Sequence, residues 1–139
     1  MKQRMLPIIA ATFVMSFVGF SSPSAAADIA AGKRFFTKCV ACHGVASNEH
    51  KVGPSLSGLF GRRAATAVGY KRYSESLMSA GARGLVWNAD MFLQYIRNPN
   101  QFLRDYLGDP KARSNMTFAG LKKKNDRENI LAYLLEATM

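Results

Sequence analysis

Both cysteines and one of the two histidines of this 139-residue chain fall within five residues, Cys39-Val40-Ala41-Cys42-His43. That cluster restricts the fold, because each way of using it needs different surroundings. A disulfide across two intervening residues closes a very short loop and takes little entropy from the unfolded chain. A thioredoxin-like redox pair would follow a strand inside a βαβ unit. A structural zinc site needs four ligands, and Cys39, Cys42, His43 and His50 make a set that is complete by count. The pattern CxxCH is also the attachment sequence for c-type haem. Residues three and four apart share one side of a helical turn, so Cys39, Cys42 and His43 would face together. The two sulfurs could then bond two vinyl groups while the imidazole reaches the iron.

The surroundings favour the last use. MKQRM carries Lys2 and Arg4, Leu6 to Phe20 is mostly apolar, and SSPSAAA ends in small residues. These are the three parts of a secretory signal, expected to be cleaved after Ala27. This mostly apolar stretch of fifteen residues falls short of the ~20 needed to span a bilayer. Residues 28–139 then form one domain with a formal charge of +8, since Lys2 and Arg4 supply two of the chain's +10. Covalent attachment suits an exported protein, and a domain of this size often needs a cofactor or staple to complete its core.

Helix signals recur along residues 28–139, and no alternating strand does. Asp28 caps a first helix whose stripe is Ile29, Gly32, Phe36 and Cys39. Gly32, costly in mid-helix, points to a closely packed neighbour. After a glycine- and proline-rich loop, a short helix runs from Tyr73 and is ended by Gly81. Asn88 caps a helix from Ala89 to Arg97, and Asn98-Pro99 starts another that Gly108 ends. The last helix is expected to open on Asn125 with Glu128 completing a capping-box pair, its apolar face Ile130, Tyr133, Leu134 and Ala137. The fold class is all-α.

A haem held by His43 still needs a decision at its other axial position. His50 lies too near in sequence to cross easily to the far face and reads as a loop-fastening residue bonded to backbone. Met78 and Met91 fall in helical segments, where methionine usually packs, and Met139 ends the chain. Met116, in the loop Ser114-Asn115-Met116-Thr117-Phe118-Ala119-Gly120, is the expected sulfur ligand.

These residues, with others in consistent order, resemble class I c-type cytochromes, most of all the bacterial cytochrome c2 group. Gly32 and Phe36 precede CVACH. Then follow Lys51-Val52-Gly53-Pro54, Gly58-Leu59-Phe60-Gly61-Arg62, Gly69-Tyr70, Tyr73-Ser74, Trp87, Asn98-Pro99, Met116-Thr117-Phe118-Ala119-Gly120 and Ile130-Leu131-Ala132-Tyr133-Leu134. The resemblance implies a small fold of about five helices with long loops wrapped around one haem c, attached through Cys39 and Cys42. It implies iron ligation by His43 and Met116. Pro54 would accept a hydrogen bond from the second nitrogen of His43, and Tyr73, Trp87 and Arg62 would screen a buried propionate. Gly32, Phe36 and Tyr133 would make the crossing of the first and last helices. One stretch departs from the pattern. Shorter members reach the methionine through Pro-Gly-Thr-Lys soon after Asn-Pro, whereas this chain runs NPNQFLRDYLGDPKARSNM, with an added helical turn or two.

A closed, six-coordinate iron implies a one-electron carrier and no enzyme activity. The rival is a haem enzyme or gas-binding haem protein with an open sixth position, but no distal acid–base group is evident for peroxide chemistry. The resemblance implies a periplasmic monomer, peripheral to the membrane. It would shuttle electrons between respiratory or photosynthetic complexes: a cytochrome bc complex, an oxidase or a photosynthetic reaction centre. Lys33, Lys38, Lys51, Arg113 and Lys122-Lys123-Lys124 flank motifs expected around the haem edge, where they would steer docking to acidic faces. Export and the lack of aromatic platforms beside these cations argue against nucleic acid.

Overall fold

The computed structural model describes residues 27–139; the expected signal sequence, apart from Ala27, lies outside the described residues. Five helices follow in order: α1 Ile29–Phe36, α2 Glu75–Ala82, α3 Ala89–Arg97, α4 Pro99–Leu107 and α5 Lys124–Ala137. Among the described residues there is no strand beyond an isolated antiparallel bridge between Arg63 and Val86. The all-α expectation holds.

Local chemistry starts most of these helices. Asp28 accepts the Ala31 N–H at 2.9 Å, Ser74 the Leu77 N–H at 3.1 Å, Asn88 the Met91 N–H at 2.9 Å and Asn98 the Gln101 N–H at 3.2 Å. Each satisfies an amide that has no partner within its helix. Pro99 takes the first position of α4, where its missing N–H costs nothing, and Gly108 closes that helix in the left-handed region at φ 65°.

Two expected boundaries are corrected. Gly81 does not end a helix; it lies inside α2, buried where a Cβ would stand 2.2 Å from the Ala64 carbonyl oxygen. The helix ends at Ala82, and the chain turns at Gly84 with φ 94°. At α5, Asn125 lies inside the helix rather than capping it, and the cap position, Lys123, makes no side-chain bond. Arg127 instead donates through Nη1 to the carbonyls of Leu121 and Lys122, both at 2.8 Å, and so holds the backbone leading into α5. Glu128 pairs with Lys124 at 3.4 Å, the only ion pair among the described residues.

Helices α1 and α5 cross at Gly32. A Cβ there would meet the Asn129 carbonyl oxygen at 2.0 Å and Tyr133 Cβ at 2.8 Å, so only glycine permits this approach. Beside the crossing, the rings of Phe36 and Tyr133 lie 5.4 Å apart, tilted by 48°. The Asp28 N–H donates to Asn129 Oδ1 at 2.8 Å, tying the start of α1 to α5. The core continues through Leu59, Leu85, Trp87, Phe92, Leu103, Ile130 and Leu134. Leu85, Leu103 and Leu134 are fully buried, each contributing about 1.5–3 kcal/mol of apolar burial. The long segment between α1 and α2 is stitched to residues 85–87 by backbone bonds: Ala64 N–H to the Leu85 carbonyl, and a reciprocal link between the 61–62 turn and Trp87.

Candidate haem site

Beyond Phe36 the chain keeps turning without forming a regular helix. The Val40 N–H donates to the Phe36 carbonyl at 3.0 Å, and the His43 N–H to the Cys39 carbonyl at 2.9 Å. These turns bring Cys39, Cys42 and His43 to the border of one large cavity. Both cysteines are free thiols. Burial, and to a lesser degree Cys42, pushes the Cys39 thiol up, with Lys38 opposing.

His43 is fixed by its neighbours. Its Nδ1 lies 2.7 Å from the Pro54 carbonyl oxygen, the distance of an N–H donating to that carbonyl. The tautomer so favoured leaves Nε2 with a free lone pair. Gly53 packs flat against the ring, since a Cβ at that position would fall 2.4 Å from Cε1. Burial lowers the pKa of the imidazole; the Pro54 bond raises it and Lys51 lowers it further. The ring is thus oriented, and burial favours its neutral form.

Met116 borders the same cavity, whereas Met78, Met91 and Met139 do not. It is partly buried, and its N–H donates to Ser114 Oγ at 3.0 Å. Arg62, Tyr73 and Trp87 also border the cavity. The Arg62 guanidinium donates to the Ser57 and Ser55 carbonyls at 2.8 and 3.0 Å. The Tyr73 hydroxyl accepts the Ala67 N–H at 3.0 Å. Burial depresses the Arg62 pKa and raises that of Tyr73, and each group's proximity to the other works against its own shift. Trp87 is buried edge-on against Tyr95, ring centroids 5.1 Å apart.

The zinc alternative is not assembled. Among the described residues no three His, Cys, Asp or Glu side chains come together as a metal-binding group. His50 faces away: Nε2 lies 2.7 Å from the Val68 carbonyl oxygen and Nδ1 accepts the Ser55 N–H at 3.0 Å. It fastens two loops through backbone, the role its sequence setting predicts.

The donor set fits a covalently bound haem. Two free thiols and an imidazole issue from successive turns, the imidazole has one nitrogen committed to a carbonyl and one available, and a thioether meets the same cavity. The other walls are mainly apolar and include Phe36, Leu59, Phe92, Ile96 and Leu134. Arg62 and Tyr73 add polar hydrogens suited to a carboxylate.

Sequence reasoning missed Tyr95 and Ser114, which also border the cavity. Tyr95 belongs to the inward stripe of α3 with Phe92 and Ile96, and that periodicity marks it as core without marking its hydroxyl. Its hydroxyl lies 2.7 Å from Ser114 Oγ. Burial raises the Tyr95 pKa, with the Ser114 bond acting in the opposite direction.

A family model described as cytochrome c matches residues 29–138. Cytochrome c2 of Cereibacter sphaeroides is 37% identical over 134 residues, covering 91% of this chain and 92% of that protein. Cytochrome c-551 of Roseobacter denitrificans is 43% identical over 114 residues, covering 77% and 78%. The crystal structure of cytochrome c2 from Rhodobacter sphaeroides superposes with a TM-score of 0.75 at 40% identity, covering 81% of this chain and 97% of that one. Ferric cytochrome c-550 of Paracoccus versutus gives 0.72 at 29% identity, covering 81% and 99%.

Proposed function

From the premise that this chain belongs to the cytochrome c family, as an electron carrier with one covalently bound haem c and not an enzyme, we propose the finer reading of a His43/Met116-ligated periplasmic shuttle. The supporting observation is that one cavity is bordered by Cys39, Cys42, His43 and Met116, with His43 Nδ1 already committed to Pro54.

Haem c, when bound, supplies a ferric/ferrous couple. The chain's residues do the rest. Cys39 and Cys42 hold the group covalently, which suits a protein exported through a signal cleaved after Ala27. Pro54 and Gly53 orient the His43 ring, and the carbonyl bond raises the basicity of Nε2. Met116 would hold the iron through its thioether, and a sulfur ligand there would give a higher potential than a second nitrogen. Arg62 and Tyr73, with Trp87 packed nearby, screen a carboxylate. The mainly apolar walls leave few polar groups to reorganise when the oxidation state changes.

The partners we infer are acidic faces of membrane redox complexes: a cytochrome bc complex, an oxidase or a photosynthetic reaction centre. Lys38 and Arg72 border the cavity, and Lys51, Arg113 and Lys122 to Lys124 are exposed. Such a cationic surface steers encounters with small, short-lived interfaces.

The test is Met116→Leu. Oxidised wild type shows the weak red absorption of iron–sulfur charge transfer and the variant lacks it. Rapid carbon monoxide binding by unaltered reduced protein, with no red band, would instead establish the open-site reading.

A further inference from the structure

Met116 is separated from α4 by a long loop, and that loop is tied down residue by residue. Asp109 accepts the Lys111 N–H at 2.8 Å, and Ala112 is buried to 1% exposure. Ser114 is the junction. Its N–H donates to Asn100 Oδ1 at 2.8 Å, its hydroxyl lies 2.7 Å from the Tyr95 hydroxyl, and the same Oγ accepts the Met116 N–H at 3.0 Å. Two helices, α3 through Tyr95 and α4 through Asn100, therefore grip one serine, and that serine grips the backbone of Met116.

The two grips differ in kind. Tyr95 is a core residue, stacked edge-on against Trp87 and Phe102, so its contact with Ser114 is one of many. Asn100 is half-buried in the first turn of α4, and its side chain meets the loop through the bond to Ser114. We propose that Asn100 is a positioning residue for the sulfur ligand: by accepting the Ser114 N–H it sets the balance between a closed loop with Met116 on the metal and an open loop with Met116 displaced. This rests on the reading of Met116 as ligand. When the loop opens, water replaces Asn100 as partner of the Ser114 N–H, so removing the acceptor destabilises the closed state alone. The loss of one such bond shifts the equilibrium toward opening by about fivefold.

The experiment is an imidazole titration of ferric holoprotein, since exogenous imidazole binds only where Met116 has left. Asn100→Ala binds imidazole about fivefold more tightly than wild type. Asn100→Asp retains an acceptor oxygen, in a first turn where a carboxylate is favourable, and stays close to wild type. Equal affinities in all three proteins overturn the inference, as does an equal gain in both variants. The red absorption, recorded in wild type and Met116→Leu, separates the two levels. If wild type lacks it, the ligand reading and this inference fall together; if it is present and the affinities are flat, this inference falls alone. Should Asn100→Ala not assemble with haem, hydrogen exchange of the wild-type Ser114 amide decides. Protection supports the bond to Asn100, and exchange at the rate of a free peptide overturns it.

Discussion

Replacing Gly32 by alanine puts a methyl group 2.0 Å from the Asn129 carbonyl oxygen and 2.8 Å from Tyr133 Cβ, where ordinary contact begins at 3.4 Å. The nearer obstacle is backbone of the opposing helix, so no side-chain rotation relieves it, and α1 must back away from α5. Doing so loosens the Phe36–Tyr133 contact and strains the bond from the Asp28 N–H to Asn129. Overpacking of this kind costs about 1–3 kcal/mol, and a backbone clash belongs in the upper part of that range. Alanine's better helix propensity returns ~1 kcal/mol, leaving a net loss of about 2 kcal/mol. Gly58→Ala is the comparison: Gly58 has φ 60°, and an added methyl would have no atom within 4 Å, so backbone strain of about 1–2 kcal/mol is offset only by the about 0.4–1 kcal/mol that alanine returns through a less flexible unfolded chain. Urea unfolding of the ferric holoprotein, read as a shift in midpoint at constant slope, measures both. A Gly32→Ala protein as stable as wild type, or less destabilised than Gly58→Ala, refutes the reasoning.

Ala65, which borders the cavity, is the one non-glycine residue with positive φ among the described residues, at 61°. Ala65→Gly relieves strain of about 1–2 kcal/mol against a flexibility cost of about 0.4–1, so the urea midpoint should rise slightly. Burial favours the neutral Tyr95 phenol, so that contribution is intact below the usual phenol pKa of about 10 and is lost as pH rises through the raised folded value. Tyr95→Phe should be less stable near neutrality by about 1 kcal/mol and lose stability less steeply above pH ~10; parallel alkaline slopes would count against it. Association rates with an acidic redox partner, measured by stopped flow, should fall steeply with salt, and a flat response removes the steering argument.

The parts legible in the sequence were those decided locally. Asn88 and Asn98 announce α3 and α4 because a cap needs only its own side chain and an amide three residues on. A close neighbour at Gly32 was legible because a glycine in the middle of an apolar helical stripe signals an approach too near for any side chain, and the family resemblance implied that this neighbour is the last helix. Gly81 misled for the complementary reason: it looks like a terminator, but a carbonyl from a distant loop demands its small size inside α2. Asn125 had the right chemistry at the wrong place, because Arg127 reaches back to hold the preceding backbone and the chain enters α5 without a side-chain cap. At the cavity, residue types and spacing identified Cys39, Cys42, His43 and Met116 as candidates. The hydroxyl of Tyr95 and the link from Asn100 to Ser114 had no such signal, since each joins groups on different elements and leaves no periodic trace.

The pair between Lys124 and Glu128, solitary among the described residues, also bears on behaviour in saline. With so few opposite charges engaged, residues 28–139, which carry a formal +8, crowd like charge together, and dissolved anions ease that crowding. Those anions also mask the protein from an acidic partner. Ionic strength should therefore lengthen the life of the molecule while slowing its traffic.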